Sequence, residues 1–308
     1  MKEALNRMSA TWTIREKTVV VTGGTKGIGY ETARGLAMRG AAVIVVGRDA
    51  ARGAAAVARL RQQTGTTTIS FVQADLSSLR EVRRLAAEIT AHYPRVQVLV
   101  NKAGGSNARR TVTADGLEAT FATNHLAPFL LTHLLLPVLE ANAPARIVNV
   151  TSVQHRSGRI DFDDLQEESD YDLMRAYRQA KLANLLVTYE LARRLRGTNV
   201  TVNAADPRGT IEGARAVSSS LPLAIRLILP LFSLPPLARL VTAERAAQSS
   251  IYVAASPDVD GLIGAYVNAR NKVVRSAPAS YDEATADKLW QVSRELTGLA
   301  PASPRDGA

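Results

Sequence analysis

Residues 22–29 read TGGTKGIG, follow an apolar run and open a helical pattern at 28–38. A strand that turns through glycines directly into a helix aims free backbone N–H groups and the positive end of the helix dipole at one point. Gly23 and Gly29 are expected to tighten this turn, and Gly27 to let a dinucleotide pyrophosphate approach the backbone. An ordinary strand-to-helix turn also uses glycine, so the turn alone leaves both interpretations open.

Short β-rich runs alternate with longer helical patterns along the rest of the chain. Strands are predicted at 18–21, 42–46, 67–72, 96–100, 146–150 and 200–204, and helices at 28–38, 50–63, 79–92, 117–139 and 174–196. Strands that are apolar on both faces and alternate with helices indicate a parallel sheet covered on each side. The predicted fold class is therefore α/β, a doubly wound parallel sheet in a single domain, with ligands beyond the carboxyl ends of the strands.

The 308-residue chain contains no cysteine, which excludes disulfides, thiolate metal sites and cysteine nucleophiles. Its four histidines show no metal-ligand spacing; they are His92, His125, His133 and His155. No metal site is expected, and the composition fits a reducing, cytoplasmic location.

The formal net charge of +10 raises the question of nucleic-acid binding. The arginines are dispersed along the predicted helices without interleaved aromatic residues, so solvated helix faces explain them better than a nucleic-acid surface. No nucleic-acid partner is expected, although the excess charge helps to attract an anionic cofactor.

Residues 1–15 are charged and lack an apolar core, so they are expected to form a flexible leader that is neither a signal peptide nor a membrane anchor. The domain is predicted over 16–299 and a disordered tail over 300–308. The most apolar stretch, 221–241, is interrupted by prolines and arginines, which make it a poor transmembrane segment. Most of it belongs to the longer segment 212–240. It is interpreted as a lid over an apolar substrate; a core-packing helix pair or a subunit contact fits as well, and membrane association is a weaker option.

Two cations stand where the ribose end of a dinucleotide would lie. Arg48 follows the second predicted strand, at the place where an acidic residue would take the ribose 2′-hydroxyl of NAD. Lys26 lies in the glycine turn and can reach the same point. Each is an ordinary surface cation when taken alone, but together they favour the extra phosphate of NADP.

Polar and small residues follow the next two predicted strands. Asp75, which precedes Leu76, could place a carboxylate on the adenine amino group or cap the helix that follows. After the fourth strand, Asn101, Ala103 and Gly104 would let the ribose lie against the backbone.

Tyr177 and Lys181 are four residues apart on a predicted helix, so their side chains share a face. A free tyrosine, with a pKa of about 10, is a poor base at neutral pH, but an adjacent ammonium favours the phenolate. The pair can then exchange a proton with a substrate oxygen while a hydride moves to or from the cofactor. Ser152 ends the fifth predicted strand and offers a hydroxyl to the same site.

With these motifs in this order, the chain resembles a short-chain dehydrogenase/reductase over about residues 16–299. Segments 121–137, 146–165 and 176–195 look most like the retinol-dehydrogenase-like branch, and 287–298 resembles the C-terminal helix of that branch. The resemblance implies a Rossmann-type fold that oxidises or reduces lipophilic alcohols and carbonyl compounds. Homo-oligomers are frequent in this family and are expected on that ground alone.

The resemblance also implies a catalytic tetrad of Asn124, Ser152, Tyr177 and Lys181. Tyr177 would be the acid/base, and Ser152 a hydrogen-bond donor to the substrate oxygen. Lys181 would lower the tyrosine pKa and hold the nicotinamide ribose, and Asn124 would position a water in the proton relay. The residues expected to bind the cofactor NADP(H) are Gly23, Thr25, Lys26, Gly27, Ile28, Gly29, Arg48, Asp75, Leu76, Asn101, Ala103, Gly104, Tyr177, Lys181, Pro207, Gly209 and Thr210.

Two positions depart from the pattern of the family. The usual Asn-Asn-Ala-Gly is here Asn101-Lys102-Ala103-Gly104, so Lys102 places a cation where an uncharged amide helps to tie the central strand to its neighbours. Its burial would be costly unless it is paired, and contact with the cofactor is a second interpretation. After the sixth strand, Arg208 replaces a glycine; it would strain a φ > 0 conformation there, or address cofactor phosphate or an acidic group of the substrate.

The sequence therefore predicts an enzyme, an NADP-dependent alcohol dehydrogenase or carbonyl reductase that acts on a lipophilic small molecule. The alternative is a non-catalytic NADP-binding sensor or scaffold on the same fold. Lys102 and Arg208 support that alternative, and the intact set of tyrosine, lysine, serine and asparagine opposes it.

Overall fold

The structure is a computed structural model that describes residues 12–207, 209–210 and 242–300. Within these ranges the strands are β1 Thr18–Thr22, β2 Ala42–Gly47, β3 Ile69–Gln73, β4 Val96–Asn101, β5 Ala145–Val150, β6 Val200–Ala205 and β7 Tyr266–Val267. They form one sheet in the order β3-β2-β1-β4-β5-β6-β7, and every neighbouring pair runs parallel. The first six confirm the predicted strands to within two residues at each end, and β7 was not predicted.

The described helices are α1 Gly27–Ala37, α2 Ala50–Thr64, α3 Leu79–His92, α4 Ala127–Ala141, α5 Leu173–Arg194, α6 Ala243–Ala246, α7 Gln248–Ala255 and α8 Glu283–Thr297. A short α-helical turn, Ala119–Phe121, and a π-helical turn, Ala122–Leu126, lead into α4. Side-chain caps set several of the starts: the Asp49 carboxylate accepts from the Arg52 N–H at the head of α2, and Asp172 accepts from Arg175 at the head of α5.

The sheet is buried on both faces, which is why its strands are apolar throughout. Along β1, Val20 packs into the core beneath α3, α4, α5 and α8, while Val19 and Val21 pack into the core beneath α1, α2 and α7. Successive side chains of a strand point to opposite faces, so an uninterrupted apolar run serves both cores. This confirms the predicted fold class, a doubly wound α/β sheet of the Rossmann type.

The predicted flexible leader over 1–15 is wrong at its described end. Trp12 is 5% exposed and donates from Nε1 to the Ala254 carbonyl at 3.1 Å, and Ile14 is buried beside it. The Arg146 guanidinium lies over the Trp12 ring, 4.0 Å from its centroid. Trp12 and Ile14 are isolated apolar residues among charged ones, so they form no periodic pattern that would predict a helix or strand. Both nevertheless pack at one edge of a hydrophobic core.

The C-terminal helix α8 covers the groove between α4 and α5. Trp290 is buried and meets the Phe129 ring edge-on, with 5.1 Å between centroids, and Ser293 Oγ lies 2.8 Å from His125 Nε2. One helical run among the described residues, Ala119–Ala141, has the length and apolar composition to cross a membrane. Because 67% of its most apolar stretch is buried within the fold, we interpret it as a core helix.

The parallel topology brings the carboxyl ends of the strands to one edge of the sheet, where β1 and β4 are neighbours at its centre. The described residues near this edge include most of the predicted site. The predicted lid within 212–240, Arg208 and the tail residues 301–308 lie outside the described residues.

Candidate active site

A cleft of about 400 Å³ opens at the carboxyl edge of the sheet, between the glycine turn and the ends of β2, β3 and β4. The turn is tight enough to require glycine. Gly23 has φ +67°, and a Cβ there would lie 2.9 Å from the Ala103 Cα; a Cβ on Gly29 would lie 2.2 Å from the Gly23 carbonyl oxygen. Only glycines allow the head of α1 to sit against the ends of β1 and β4, so its first N–H groups face the cleft.

Thr22 joins the two central strand ends. Its Oγ1 accepts hydrogen bonds from the backbone N–H groups of Lys102 at 2.9 Å and Ala103 at 3.0 Å. Ala103 and Gly104 line the cleft together with Gly23. Gly27, Ile28 and Gly29 form the first turn of α1, directly after the cleft-lining residues Thr25 and Lys26.

Two exposed cations, Arg48 and Lys26, line one end of the cleft together with Thr25. Among the described residues, neither cation has a carboxylate partner within ion-pair distance. The nearby acid, Asp49, caps α2 and pairs with Arg52 at 3.4 Å. Since Asp49 is already engaged, this end of the cleft offers positive charge to a phosphate rather than a carboxylate to a ribose hydroxyl.

Asp75 and Leu76 line the cleft after β3. Asp75 Oδ1 accepts from the Ser77 N–H at 3.0 Å and from Ser77 Oγ at 2.8 Å, while Ser78 is the N-cap of α3. The carboxylate therefore organises the turn before α3 rather than capping that helix, and it faces the cleft from there.

The structure gives Asn101 a different role from the predicted contact with the cofactor. Its Nδ2 donates to Thr132 Oγ1 and Asn149 Oδ1, both at 2.9 Å, and the side chain is 5% exposed. Asn149 Nδ2 in turn donates to Thr188 Oγ1, so these amides tie β4 and β5 to α4 and α5. The tie predicted to be weakened by Lys102 is made by Asn101 and is intact.

Tyr177 and Lys181 lie close to Gly104 of the cleft wall, where a Cβ would be 3.6 Å from the Lys181 Nζ, and Ser152 lies close to Tyr177. Tyr177 and Lys181 lie one turn apart on α5, with the Lys181 Nζ 5.4 Å from the tyrosine ring centroid. The Ser152 hydroxyl lies near the Tyr177 phenol and favours its ionised form. Lys181 is buried and donates from Nζ to the Val150 carbonyl at 3.3 Å, which fixes the ammonium at the end of β5.

The surroundings of Tyr177 and Lys181 shift the pKa of both groups. Burial raises the pKa of the Tyr177 phenol, the Ser152 hydroxyl opposes this, and the negative charge of Asp206 adds to the rise. Burial, together with the charge of Lys102, lowers the pKa of Lys181 to about 7, and the charge of Asp206 opposes this fall. The lysine is thus only partly charged at neutral pH, and the phenol keeps its proton.

Asn124 lies in the π-helical turn that precedes α4. Its Nδ2 donates to the carbonyls of Gly105 at 2.6 Å and Thr120 at 2.7 Å, and its buried Oδ1 has no partner among the described residues. A Cβ on Gly104 would lie 2.3 Å from this oxygen and 3.6 Å from the Lys181 Nζ. The π turn therefore aims an unsatisfied acceptor at the same point as the lysine, which suits a bound water.

Two further residues shape this end of the cleft, and the sequence reasoning missed both. Asp206 follows β6, is buried, and accepts a hydrogen bond from the Tyr266 hydroxyl at 2.5 Å; burial raises the pKa of this carboxyl, and the charge of Lys181 opposes the rise. His155 is fully buried, and its Nε2 accepts from the Ala277 N–H at 3.1 Å. Its Nδ1 therefore carries the proton and donates to the Ser152 carbonyl at 2.6 Å, which fixes the serine backbone.

Asp206 had one sequence signal, because it directly follows a strand whose end faces the cleft. His155 had none, since Ala277 is distant in the chain. The predicted cofactor residues Pro207, Gly209 and Thr210 follow β6 and flank Arg208, outside the cleft-lining set. Among the described residues, no group of three metal-ligating side chains converges.

The residues present fit a dinucleotide. The cradle at Gly23 and Gly29 would be filled by any Cβ, and the cations that line the cleft match phosphate. The Lys181 ammonium, with the Tyr177 ring beside it, lies next to Gly104 of the cleft wall. A nicotinamide held there supplies or accepts a hydride, and Tyr177 would move the accompanying proton.

Comparison with known proteins agrees with this reading of the cleft. The family model described as short chain dehydrogenase matches residues 17–217. Retinol dehydrogenase 14 of Mus musculus is 43% identical over 293 residues, which cover 92% of this chain and 86% of the relative. Retinol dehydrogenase 13 of Homo sapiens is 40% identical over 304 residues, with 96% and 88% covered.

Two solved structures share the fold. An uncharacterised protein from Mycobacterium paratuberculosis superposes with a TM-score of 0.73 at 33% identity, covering 94% of this chain and 98% of that one. The RhlG/NADP active-site complex of Pseudomonas aeruginosa has a TM-score of 0.66 at 27% identity, with 85% and 97% covered. Together with the family match, these relatives show that the chain belongs to the short-chain dehydrogenase/reductase family, in its retinol-dehydrogenase-like branch.

Proposed function

We propose that this enzyme uses NADP(H) to interconvert a lipophilic ketone or aldehyde and its alcohol, with Tyr177 as the proton donor and acceptor. The observation that carries the proposal is the layout of the cleft. Arg48 and Lys26 line the cleft without carboxylate partners among the described residues, and Lys181 lies next to Gly104 of the cleft wall, with Tyr177 one helical turn away.

Each side chain has a defined task in this reaction. The Ser152 hydroxyl holds the substrate oxygen beside the Tyr177 phenol, which donates its proton as the carbonyl is reduced. Lys181 holds the nicotinamide ribose and supports the phenolate left after proton transfer. Asn124 Oδ1 holds a water that returns a proton to the site.

The preference for NADP favours the reductive direction. In that direction the Tyr177 phenol, which keeps its proton at neutral pH because burial raises its pKa, donates the proton. The positive charge of an oxidised nicotinamide would favour the phenolate, which supports the reverse reaction when alcohol is in excess.

The proposed substrate class is supported by the names of the relatives and by one exposed apolar residue beside the serine. Val153 directly follows Ser152 and is 54% exposed. The curated relatives carry the name retinol dehydrogenase, so a retinoid alcohol or aldehyde belongs among the candidates.

We assign the enzyme to the cytoplasm, and fractionation of cells that express the full chain tests this location.

The proposal is tested by following NADPH absorbance across a panel of lipophilic ketones and aldehydes that includes a retinoid aldehyde. The Tyr177→Phe protein serves as the blank, because it keeps the ring and removes only the hydroxyl. We expect turnover to fall by about a thousandfold or more, since a positioned acid contributes on the order of 10²–10⁴ and the Ser152 interaction is lost as well.

Cofactor binding separates the two candidate functions. NADPH affinity, measured by its fluorescence, should be nearly unchanged in Tyr177→Phe. Tight NADPH binding with no turnover on any member of the panel would favour the non-catalytic sensor or scaffold, and retained turnover in Tyr177→Phe would remove the tyrosine from the mechanism.

A further inference from the structure

Lys102 is a cation in the wall of the cleft, directly after β4. Its backbone N–H is held by Thr22 Oγ1, and its side chain lines the cleft together with Lys26. The preceding residue, Asn101, turns its amide towards α4. Since successive side chains at a strand end point to opposite faces, Lys102 extends towards the face where α1 begins.

The charged groups around Lys102 come from three other elements. Lys26 approaches from the glycine turn and Lys181 from α5, and both are cations that interact with it electrostatically. Asp206, at the end of β6, faces Lys181 and accepts from the Tyr266 hydroxyl. Among the described residues, no carboxylate or carbonyl oxygen lies within hydrogen-bond distance of the Lys102 Nζ.

Lys26 and Lys102 line the cleft, and Lys181 lies beside its wall at Gly104. The carboxylates of Asp49 and Asp75 also line the cleft, but they are engaged by Arg52 and Ser77. Burial lowers the pKa of Lys102, the charge of Lys26 lowers it further, and Lys102 in turn lowers the pKa of Lys181. A half-buried cation whose charged neighbours are mainly cations is unfavourable unless an anion binds among them. An anion at this point would lie between the glycine turn and the lysine that faces the nicotinamide end.

We infer that Lys102 is a ligand for the pyrophosphate of the bound dinucleotide. Its positive charge makes a contact that an uncharged asparagine at this position would not supply. The inference rests on the proposed cofactor function. It differs from the role of Arg48, which stands at the ribose end of the cleft. The pyrophosphate is common to NADPH and NADH, whereas the extra phosphate belongs to NADPH alone.

Proton uptake on binding is a consequence of this role. Without the dinucleotide, Lys102 loses its proton at a lower pH than an ordinary lysine, and an anion beside it restores the ordinary preference for the charged form. Binding at alkaline pH should therefore draw a proton onto the enzyme.

The test is titration calorimetry of NADPH and NADH at pH 8.5, in two buffers of different ionisation enthalpy. In Lys102→Met, which keeps the length of the side chain, the affinity for both nucleotides should fall by the same factor, about tenfold to a hundredfold for a charge-assisted contact. The proton uptake seen with the wild type should shrink. Lys272→Met removes an exposed lysine away from the cleft and should change neither quantity.

Thermal unfolding separates this role from a structural one. Without nucleotide, Lys102→Met should be as stable as the wild type or more so, because an unpaired cation has been removed, and the stabilisation by NADPH should be smaller. If Lys102→Met does not fold, Lys102→Asn carries the same measurements.

Equal affinity and equal proton uptake in wild type and variant would overturn the inference and leave the proposed function standing. A loss confined to NADPH would also overturn it, since Lys102 would then address the extra phosphate. If the wild-type protein binds neither nucleotide, the proposed function fails and the inference fails with it.

Discussion

The two ends of the cleft carry lysines in contrasting surroundings. Lys26 is exposed at the tip of the glycine turn, and Lys181 is buried on α5, 5.4 Å from the centre of the Tyr177 ring. Water solvates Lys26, so its charge can be offered to a ligand with little effect on the fold. Lys181 is shielded from water and donates a hydrogen bond to one backbone carbonyl, and its pKa falls to about 7. A lysine side chain can thus bind an anionic ligand where it is exposed, and where it is buried its pKa depends on the charges around it.

This contrast shows what burial adds at the catalytic end. A buried, hydrogen-bonded cluster holds the reacting groups in fixed positions, whereas exposed cations attract a ligand without being held by it. Neighbouring groups at this end also influence one another: Lys102, Lys181 and Asp206 each shift the pKa of a neighbour. A change at the buried end should therefore affect catalysis, and a change at the exposed end mainly affinity.

The largest expected effect comes from exchanging the two lysines for methionine. Lys181→Met should lower kcat by on the order of 10²–10⁴, because the proton transfer at Tyr177 loses the ammonium that supports the phenolate. Lys26→Met should leave kcat near the wild-type value and raise the KM for NADPH. Steady-state kinetics with saturating substrate give both quantities, and equal losses of kcat in the two variants would break the comparison.

A smaller effect is expected at the ribose end, from Arg48→Ala. The loss of a charge-assisted contact to phosphate should weaken NADPH binding by about tenfold to a hundredfold and leave NADH binding unchanged. Arg80→Ala is a matched control, since Arg80 is exposed on α3 outside the cleft. Fluorescence titration with both nucleotides measures the ratio, and equal losses for NADPH and NADH would show that Arg48 does not read the extra phosphate.

The sequence predicted the scaffold of this cleft more closely than its electrostatics. Runs of β-branched residues placed the first six strands within two residues, because a strand buried on both faces needs an uninterrupted apolar run. The two-residue strand β7 carries no such pattern. The helix predicted at 117–139 includes the π-helical turn around Asn124, and apolar periodicity gives no sign of a single widened turn.

The charges around Lys102 and Tyr177 could not be read from the sequence, because they depend on which distant segments meet. The four-residue spacing placed Lys181 beside Tyr177, but the effect of burial on both pKa values appears only when the core is assembled. Likewise, Asn101 and Lys102 are adjacent in the chain, yet one ties strands to helices and the other faces the cleft.

The smallest expected effect is the pH dependence of stability without nucleotide. An ordinary lysine has a pKa near 10.5, and burial lowers that of Lys181 to about 7 and also lowers that of Lys102. Between pH 7 and about 9.5 the unfolded chain therefore binds more protons than the folded one, so the free energy of unfolding should rise with pH.

Urea unfolding at several pH values in this window should show the rise. Lys102→Met should flatten it, because the variant removes one lysine with a lowered pKa and also removes the charge that lowers the pKa of Lys181. Saturating NADPH should flatten it too, since the anion restores the charged form of Lys102. A free energy of unfolding that is level or falls from pH 7 to 9.5 in the wild type would mean that the two lysines are hydrated, and the contrast between the ends of the cleft would then be one of position rather than of burial.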